Sequence, residues 1–235
     1  MASTAPQYAP PVVTLGEDAR VAFMVKVYQH IGLAIGVFMA VEFLLFSSGL
    51  AESLYDIVLK SGGVGWLLIL GLFMGGSWMA TQATMDLSNP GRQYAGLFGI
   101  AVLEAVIFAP FLWYVFKIQD NAGDVWAAAV VTAIGFAGLS AVAWVTRRDL
   151  SFIRPLIMWG GVAAMIMIGA ALLFGLNLGT WFSVAMIALA GASILYTTQQ
   201  AMRRYPEQAY VAAAVQLFGS LMMMFWYVLR IFSQR

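Results

Sequence analysis

Seven stretches of the chain are apolar over lengths that can cross a bilayer: residues 24–48, 64–84, 95–117, 125–146, 155–176, 180–201 and 209–232. A hydrocarbon layer of ~30 Å calls for about 20 residues of helix, and each run meets that length. Such a layer holds no water to bond free peptide groups, so each run must coil, and the short links between runs make successive helices antiparallel neighbours. The fold expected is all-α: a polytopic membrane protein with seven transmembrane helices over residues 20–235. Residues 1–19 contain Pro6, Pro10 and Pro11, have no basic residue and lack the apolar stretch of a signal peptide, so they read as a disordered tail. Between the first two runs, Leu54 to Leu59 is open to a reading as a short interfacial helix.

Composition narrows the function classes. The chain is 62% hydrophobic and 10% charged, with a mean hydropathy of +0.86, which excludes a water-soluble globule. A formal charge of +1 provides no field to gather nucleic acid. With no cysteine and one histidine, disulfides, thiolate metal sites and haem attachment are excluded, and no cofactor is expected. No serine–histidine–acid set or phosphate-binding glycine loop is visible, so an enzyme is not expected. Fourteen methionines could line a soft-metal path, but without cysteine or clustered histidine they read as adaptable packing.

Lysine and arginine fall unequally on the two sides. Eight belong to the tail side and the even-numbered links (Arg20, Lys26, Arg92, Arg147, Arg148, Arg154, Arg203, Arg204), against four on the other (Lys60, Lys117, Arg230, Arg235). Cytoplasmic loops retain positive charge, so the N-terminus is expected inside and, after seven crossings, the C-terminus outside. Trp126 and Trp144 stand about 27 Å apart along a helix, matching two interfacial belts.

A charge at the membrane centre costs at least ~2.5 kcal/mol and needs a partner, a cavity or neutralisation. Two carboxyls fall inside the runs, Glu42 and Glu104. Glu104 lies near mid-depth and precedes Pro110, whose ring frees a carbonyl that a cavity or neighbour must satisfy. It reads either as a proton- or cation-linked site or as a protonated acid bonded across helices. Glu42 belongs to the outer half of the first helix and His30 to its inner end, and packing is the stronger reading for both. Thr197 and Ser220 stand at similar distances from the turn near Gln208, on opposite arms of the last hairpin. They read as a polar pair or as hydroxyls bonded to their own helices. Arg230, near the outer end, reads as snorkelling. The spacings Gly32/Gly36, Gly71/Gly75 and Gly175/Gly179 read as close helix approaches.

Four segments, in order, resemble a known family. They are Phe23-Met-Val-Lys26-Val-Tyr28 with Gly32-Leu33, Thr146-Arg147-Arg148-Asp149-Leu150-Ser151-Phe152, Leu195-Tyr196-Thr197-Thr198-Gln199, and the last helix with Tyr227-Val-Leu-Arg230-Ile. Together they are similar to the motifs of the transmembrane Bax inhibitor motif family, with Lys26, Tyr28, Asp149 and Arg230 on motif positions. The resemblance implies helix seven central within a bundle of the other six, and a bacterial inner-membrane location with the N-terminus cytoplasmic and the C-terminus periplasmic. It also implies a pH-sensitive calcium leak, sensed by paired aspartates on helices six and seven. Those positions fall on Thr197 and Ser220 here. Two carboxyls sharing one site form a titratable latch, whereas two hydroxyls do not titrate and make a poor calcium ligand set. The expected function is therefore a cation leak with altered or lost pH sensing and Glu104 as the buried acid. The alternative is a non-conducting accessory subunit of a larger membrane complex, for example a modulator of a membrane AAA protease. Lipid is the partner expected in either case.

Overall fold

The computed structural model describes residues 10–146 and 148–234, apart from the side chains of residues 63 and 64. Residues 1–9 of the tail, and Arg147 and Arg235 of the charge tally, lie outside the described residues. The helices are α1 (Glu17–Ser47), α2 (Leu50–Thr84), α3 (Pro90–Trp113), α4 (Ala122–Val145), α5 (Ile153–Phe174), α6 (Thr180–Arg204) and α7 (Tyr210–Phe232). Seven of the described helical segments are long and apolar enough to cross a membrane, with Gly65–Thr84 serving for α2 and Pro90–Ile118 for α3.

Local chemistry explains several boundaries. Asn89 accepts the Arg92 N–H and Pro90 follows it, which starts α3; Asn121 accepts the Asp124 N–H and starts α4. Past Pro110, α3 runs on into a π-helical turn, Tyr114–Ile118. Gly62, at φ 62° and ψ −163°, breaks α2, so Leu50 to Ser61 forms a separate helical arm before the membrane span. The interfacial piece read at Leu54 to Leu59 lies within that arm.

Residues 10–19, assigned by their prolines to a disordered tail, are differently placed. Val12–Leu15 form a short 3-10 turn, and α1 already begins at Glu17. Val12 is fully buried and donates its N–H to the Tyr205 carbonyl at 2.9 Å, beside a bridge between Pro11 and Pro206. Proline removes donors, but here its extended backbone lets the segment lie along the α6–α7 turn.

The bundle has two ends. At the proximal end, where α1 begins, lie the segment before it and the α2–α3, α4–α5 and α6–α7 links. At the distal end lie the α1–α2, α3–α4 and α5–α6 links and Ser233, whose carbonyl accepts a 2.8 Å hydrogen bond from Gln119 Nε2. The chain therefore leaves the bundle at the end opposite its start. α7 is the most buried span and packs against α1, α2, α3, α4 and α6, while α5 rests on α2 and α6.

The glycine pairs do not make the close approaches expected of them. A Cβ at Gly32, Gly36, Gly71, Gly75 or Gly179 would meet nothing within 4 Å, and Gly175 instead ends α5 at φ 67°. The tight contact is at Gly96, where a Cβ would strike the Ala80 carbonyl oxygen and stand 2.6 Å from Thr84 Cγ2. Glycine there lets α2 and α3 touch backbone to backbone. The spacing of small residues could not find it, because the partner that crowds Gly96 belongs to another helix.

Candidate functional site

The buried face of α3 and of the π-helical turn after it carries Leu97, Ala101, Glu104, Phe108, Leu112 and Val115, so the acid sits in the middle of an otherwise apolar stripe. Glu104 is fourteen residues from either end of the Pro90–Ile118 span, about 21 Å along the axis, which is mid-depth. It is 7% exposed, and among the described residues no group hydrogen-bonds its carboxyl. That carboxyl lines a cavity of about 720 Å³ between α2, α3, α5, α6 and α7.

The cavity occupies the distal half of the bundle. From α2 come Trp66, Leu70 and Phe73, and the α5–α6 turn from Gly175 to Leu178 borders the distal end. α7 contributes Gly219, Trp226, Tyr227 and Arg230. Phe108 of α3 meets Trp226 edge to face at 4.9 Å, which fixes the relative depth of the two helices. Glu104 lies one turn toward the proximal end from Phe108, and Arg230 one turn toward the distal end from Trp226. Acid and base are thus about 12 Å apart in depth and do not pair.

Arg230 does not simply snorkel. It is half-buried, and its guanidinium donates to the Leu178 carbonyl at 3.0 Å, which pins the α5–α6 turn over the end of the cavity. Sequence reasoning missed this role, and it missed the aromatic walls, because the register between α3, α5 and α7 is set by packing alone.

Glu42 is buried on α1, and neither carboxyl oxygen has a hydrogen-bond partner. Phe38 and Phe108 are in ring contact at 5.5 Å. Glu42 is one turn distal to Phe38 and Glu104 one turn proximal to Phe108, so the two acids are also about 12 Å apart in depth. They are not a proton-sharing pair, and Glu42 does not line the cavity.

The positions matching the aspartate pair carry two buried hydroxyls, and that of Ser220 is bonded. Ser220 donates to the Gln216 carbonyl at 3.0 Å, the within-helix bond typical of serine, so the 2.8 Å contact to Ser193 is made with Ser193 as donor. The cross-helix partner of Ser220 is therefore Ser193, one turn from the buried Thr197. Counting residues from Gln208 put Thr197 opposite; counted from the helix ends at Arg204 and Tyr210, it is Ser193 that matches Ser220.

At the proximal end the remaining motif residues join elements. His30 Nδ1 donates to the Lys26 carbonyl at 2.7 Å, so in the neutral ring Nε2, 2.9 Å from Tyr94 Oη, accepts the phenol proton. Lys26 pairs with Glu207 at 3.7 Å and stands over the Tyr210 ring. Tyr28 packs edge-on against Phe136, its hydroxyl buried without a partner. Asp149 accepts from the Ser151 N–H and hydroxyl at 2.9 and 2.7 Å. Those bonds, with the charges of Arg204 and Arg203, hold its carboxyl below the usual aspartate range. These contacts shape the links. Among the described residues no group of three or more His, Asp or Glu could hold a metal.

Comparison with known proteins agrees with this architecture. An uncharacterized protein of Pseudomonas aeruginosa is 28% identical over 153 residues, covering 64% of this chain and 68% of its own. An uncharacterized protein of Neisseria meningitidis serogroup A is 27% identical over 169 residues, covering 72% of each chain. The family model described as inhibitor of apoptosis-promoting Bax1 matches residues 20–235. With that match spanning all seven helices, the chain belongs to the Bax inhibitor family of membrane proteins.

Proposed function

We propose that the protein is a bacterial inner-membrane protein that passes cations, with the distal cavity as the periplasmic vestibule of the path and Glu104 as its acid. The reading is carried by one observation: a mid-depth carboxyl without a protein partner lines a 720 Å³ space. An embedded acid without a function is a net cost, and a cavity wall is where it can meet a cation or a proton. The orientation draws support from the proximal end, which gathers Arg20, Lys26, Arg92, Arg148, Arg154, Arg203 and Arg204. The two relatives are bacterial proteins, which supports a bacterial setting.

Proximal to the cavity the bundle is closed. Val27, Leu97, Ala213, Ala214, Leu217 and Phe218 are fully buried, so passage requires helices to move and the protein acts as a gated leak rather than an open pore. Thr197 and Ser220 provide no titration and Glu42 does not line the cavity, which leaves the pH response of the path to Glu104. The leak operates without the paired-aspartate latch. Proteoliposomes loaded with calcium- or potassium-sensitive dyes test this. Wild type should leak, and Glu104→Gln should abolish the leak or remove its pH dependence; no leak in wild type, or an unchanged one in the variant, overturns the reading.

A second reading, a non-conducting subunit of a larger membrane assembly such as a membrane AAA protease complex, is favoured by the closed proximal half and by the hydroxyls at the aspartate positions. Purification from native membranes in mild detergent separates the two. A stoichiometric companion supports the second reading, and a lone monomer counts against it.

A further inference from the structure

The distal cavity has the dimensions of a pocket for an organic molecule and the wrong donors for a metal ion. Its volume of about 720 Å³ lies within the 300–1,000 Å³ of ordinary small-molecule sites, which are apolar with a few placed polar groups. Calcium wants six to eight oxygens, several of them charged. Glu104 is the acid among the described lining residues, and aromatic and aliphatic side chains dominate around it.

Those aromatics are held in place before any ligand arrives. Phe108 stacks on Phe225 at 5.6 Å with 4° between planes and meets Trp226 edge to face; Trp226 also contacts Phe111 at 4.9 Å. Ring faces carry negative charge density and attract cations, most strongly where water is excluded. Glu104 lies one turn below Phe108, so carboxyl and rings serve the same end of the space. Arg230, about 12 Å away in depth, is tethered to Leu178 at the distal end. There its charge belongs to the distal wall of the cavity rather than to the floor beside Glu104.

We infer that the distal cavity is a binding site for a bulky hydrophobic organic monocation, held by the Glu104 carboxylate against the Trp226 ring, which Phe111 and the buried Phe108 brace. Such a cation loses little hydration on entry, fits the volume and pairs with the one acid of the described lining, at the end of the space away from Arg230. The inference rests on the cation-path reading in taking Glu104 as the cation's partner, but it concerns binding and not passage.

The test uses two probes of one shape and opposite charge, tetraphenylphosphonium and tetraphenylborate, titrated into the purified full chain in detergent. Calorimetry and tryptophan quenching report binding. Wild type should bind tetraphenylphosphonium saturably. Glu104→Gln should weaken it at least tenfold, Glu104→Asp should retain part of it, and tetraphenylborate should show no saturable binding. Trp226→Leu should also weaken the cation, which keeps the test decisive if Glu104→Gln does not fold. Absence of saturable cation binding, equal binding by folded Glu104→Gln, or tetraphenylborate binding that Arg230→Gln removes would each overturn the inference. Failure here is separable from failure of the proposed function. Glu104-dependent leak of inorganic cations without tetraphenylphosphonium binding sinks only this inference, and binding without leak sinks only the cation path.

Discussion

Gln199 and Leu150 lock the α4–α5 link onto α6. The Gln199 Oε1 accepts the Leu150 N–H at 2.7 Å, while its Nε2 donates to the Arg148 carbonyl, also at 2.7 Å. One amide thus satisfies two backbone groups of a turn that has no regular structure to satisfy them, and Gln199 is itself 1% exposed. Gln199→Leu leaves both groups short of a partner and should cost about 2 kcal/mol. Thermal unfolding in detergent should show the loss, with Gln199→Glu intermediate because it keeps the acceptor and loses the donor.

Gly96 makes the opposite kind of prediction, about space rather than bonding. Gly96→Ala pushes a methyl group into the Ala80 carbonyl and Thr84, and backbone atoms cannot rotate away. Forcing α2 and α3 apart should cost about 1–3 kcal/mol. Gly36→Ala and Gly71→Ala, whose added methyls meet nothing within 4 Å, should be neutral or stabilising by up to about 1 kcal/mol. Equal melting temperatures for all three variants would contradict this account of the α2–α3 contact.

What the residues reveal in advance follows from where the physics is local. Span length and hydropathy are properties of contiguous residues, so the seven helices were readable from Met24 to Phe232, and so was the burial of Glu104. Register between helices is not local. The pairing of Ser220 with Ser193 instead of Thr197 depends on where α6 ends and α7 begins, and the tether from Arg230 to Leu178 on how α5 and α6 turn back at Gly175. The order of residues 10–16 was hidden for the same reason, since the carbonyl that Val12 bonds belongs to Tyr205, nearly two hundred residues away.

The α4–α5 link should also respond to acid. Ser151 and the nearby arginines favour the charged form of the exposed Asp149, so its folded-state pKa lies below that of the unfolded chain. The stabilisation it gives is present above the unfolded value and lost as pH falls through the folded one, below about pH 4. Asp86, bonded by Ser88 and Arg92 at the α2–α3 link, has a shift in the same direction. Melting temperature should therefore drop between neutral pH and pH 3. Asp149→Asn, which keeps an acceptor for Ser151 but not the charge, should show a smaller drop, and Asp149→Asn with Asp86→Asn a smaller one still.

The hydroxyls on α6 and α7 allow a direct test of whether this bundle retains the geometry of a titratable latch. Ser220 already reaches α6 through Ser193, and Thr197 is one turn nearer the proximal end on the same face. In the double variant Thr197→Asp with Ser220→Asp, two carboxyls stand on facing helices in a buried site, where they should share one proton near neutrality. Melting temperature, or leak where it is measurable, should then change between about pH 5 and 8, a window in which two hydroxyls do not titrate. A second pair, Ser193→Asp with Ser220→Asp, places the carboxyls at the observed 2.8 Å contact and should respond at least as strongly. A response in the 193/220 pair alone would mean that this chain has shifted the α6–α7 register by a turn relative to a Thr197–Ser220 latch. A flat profile in both would mean that the helices adjust to separate the charges.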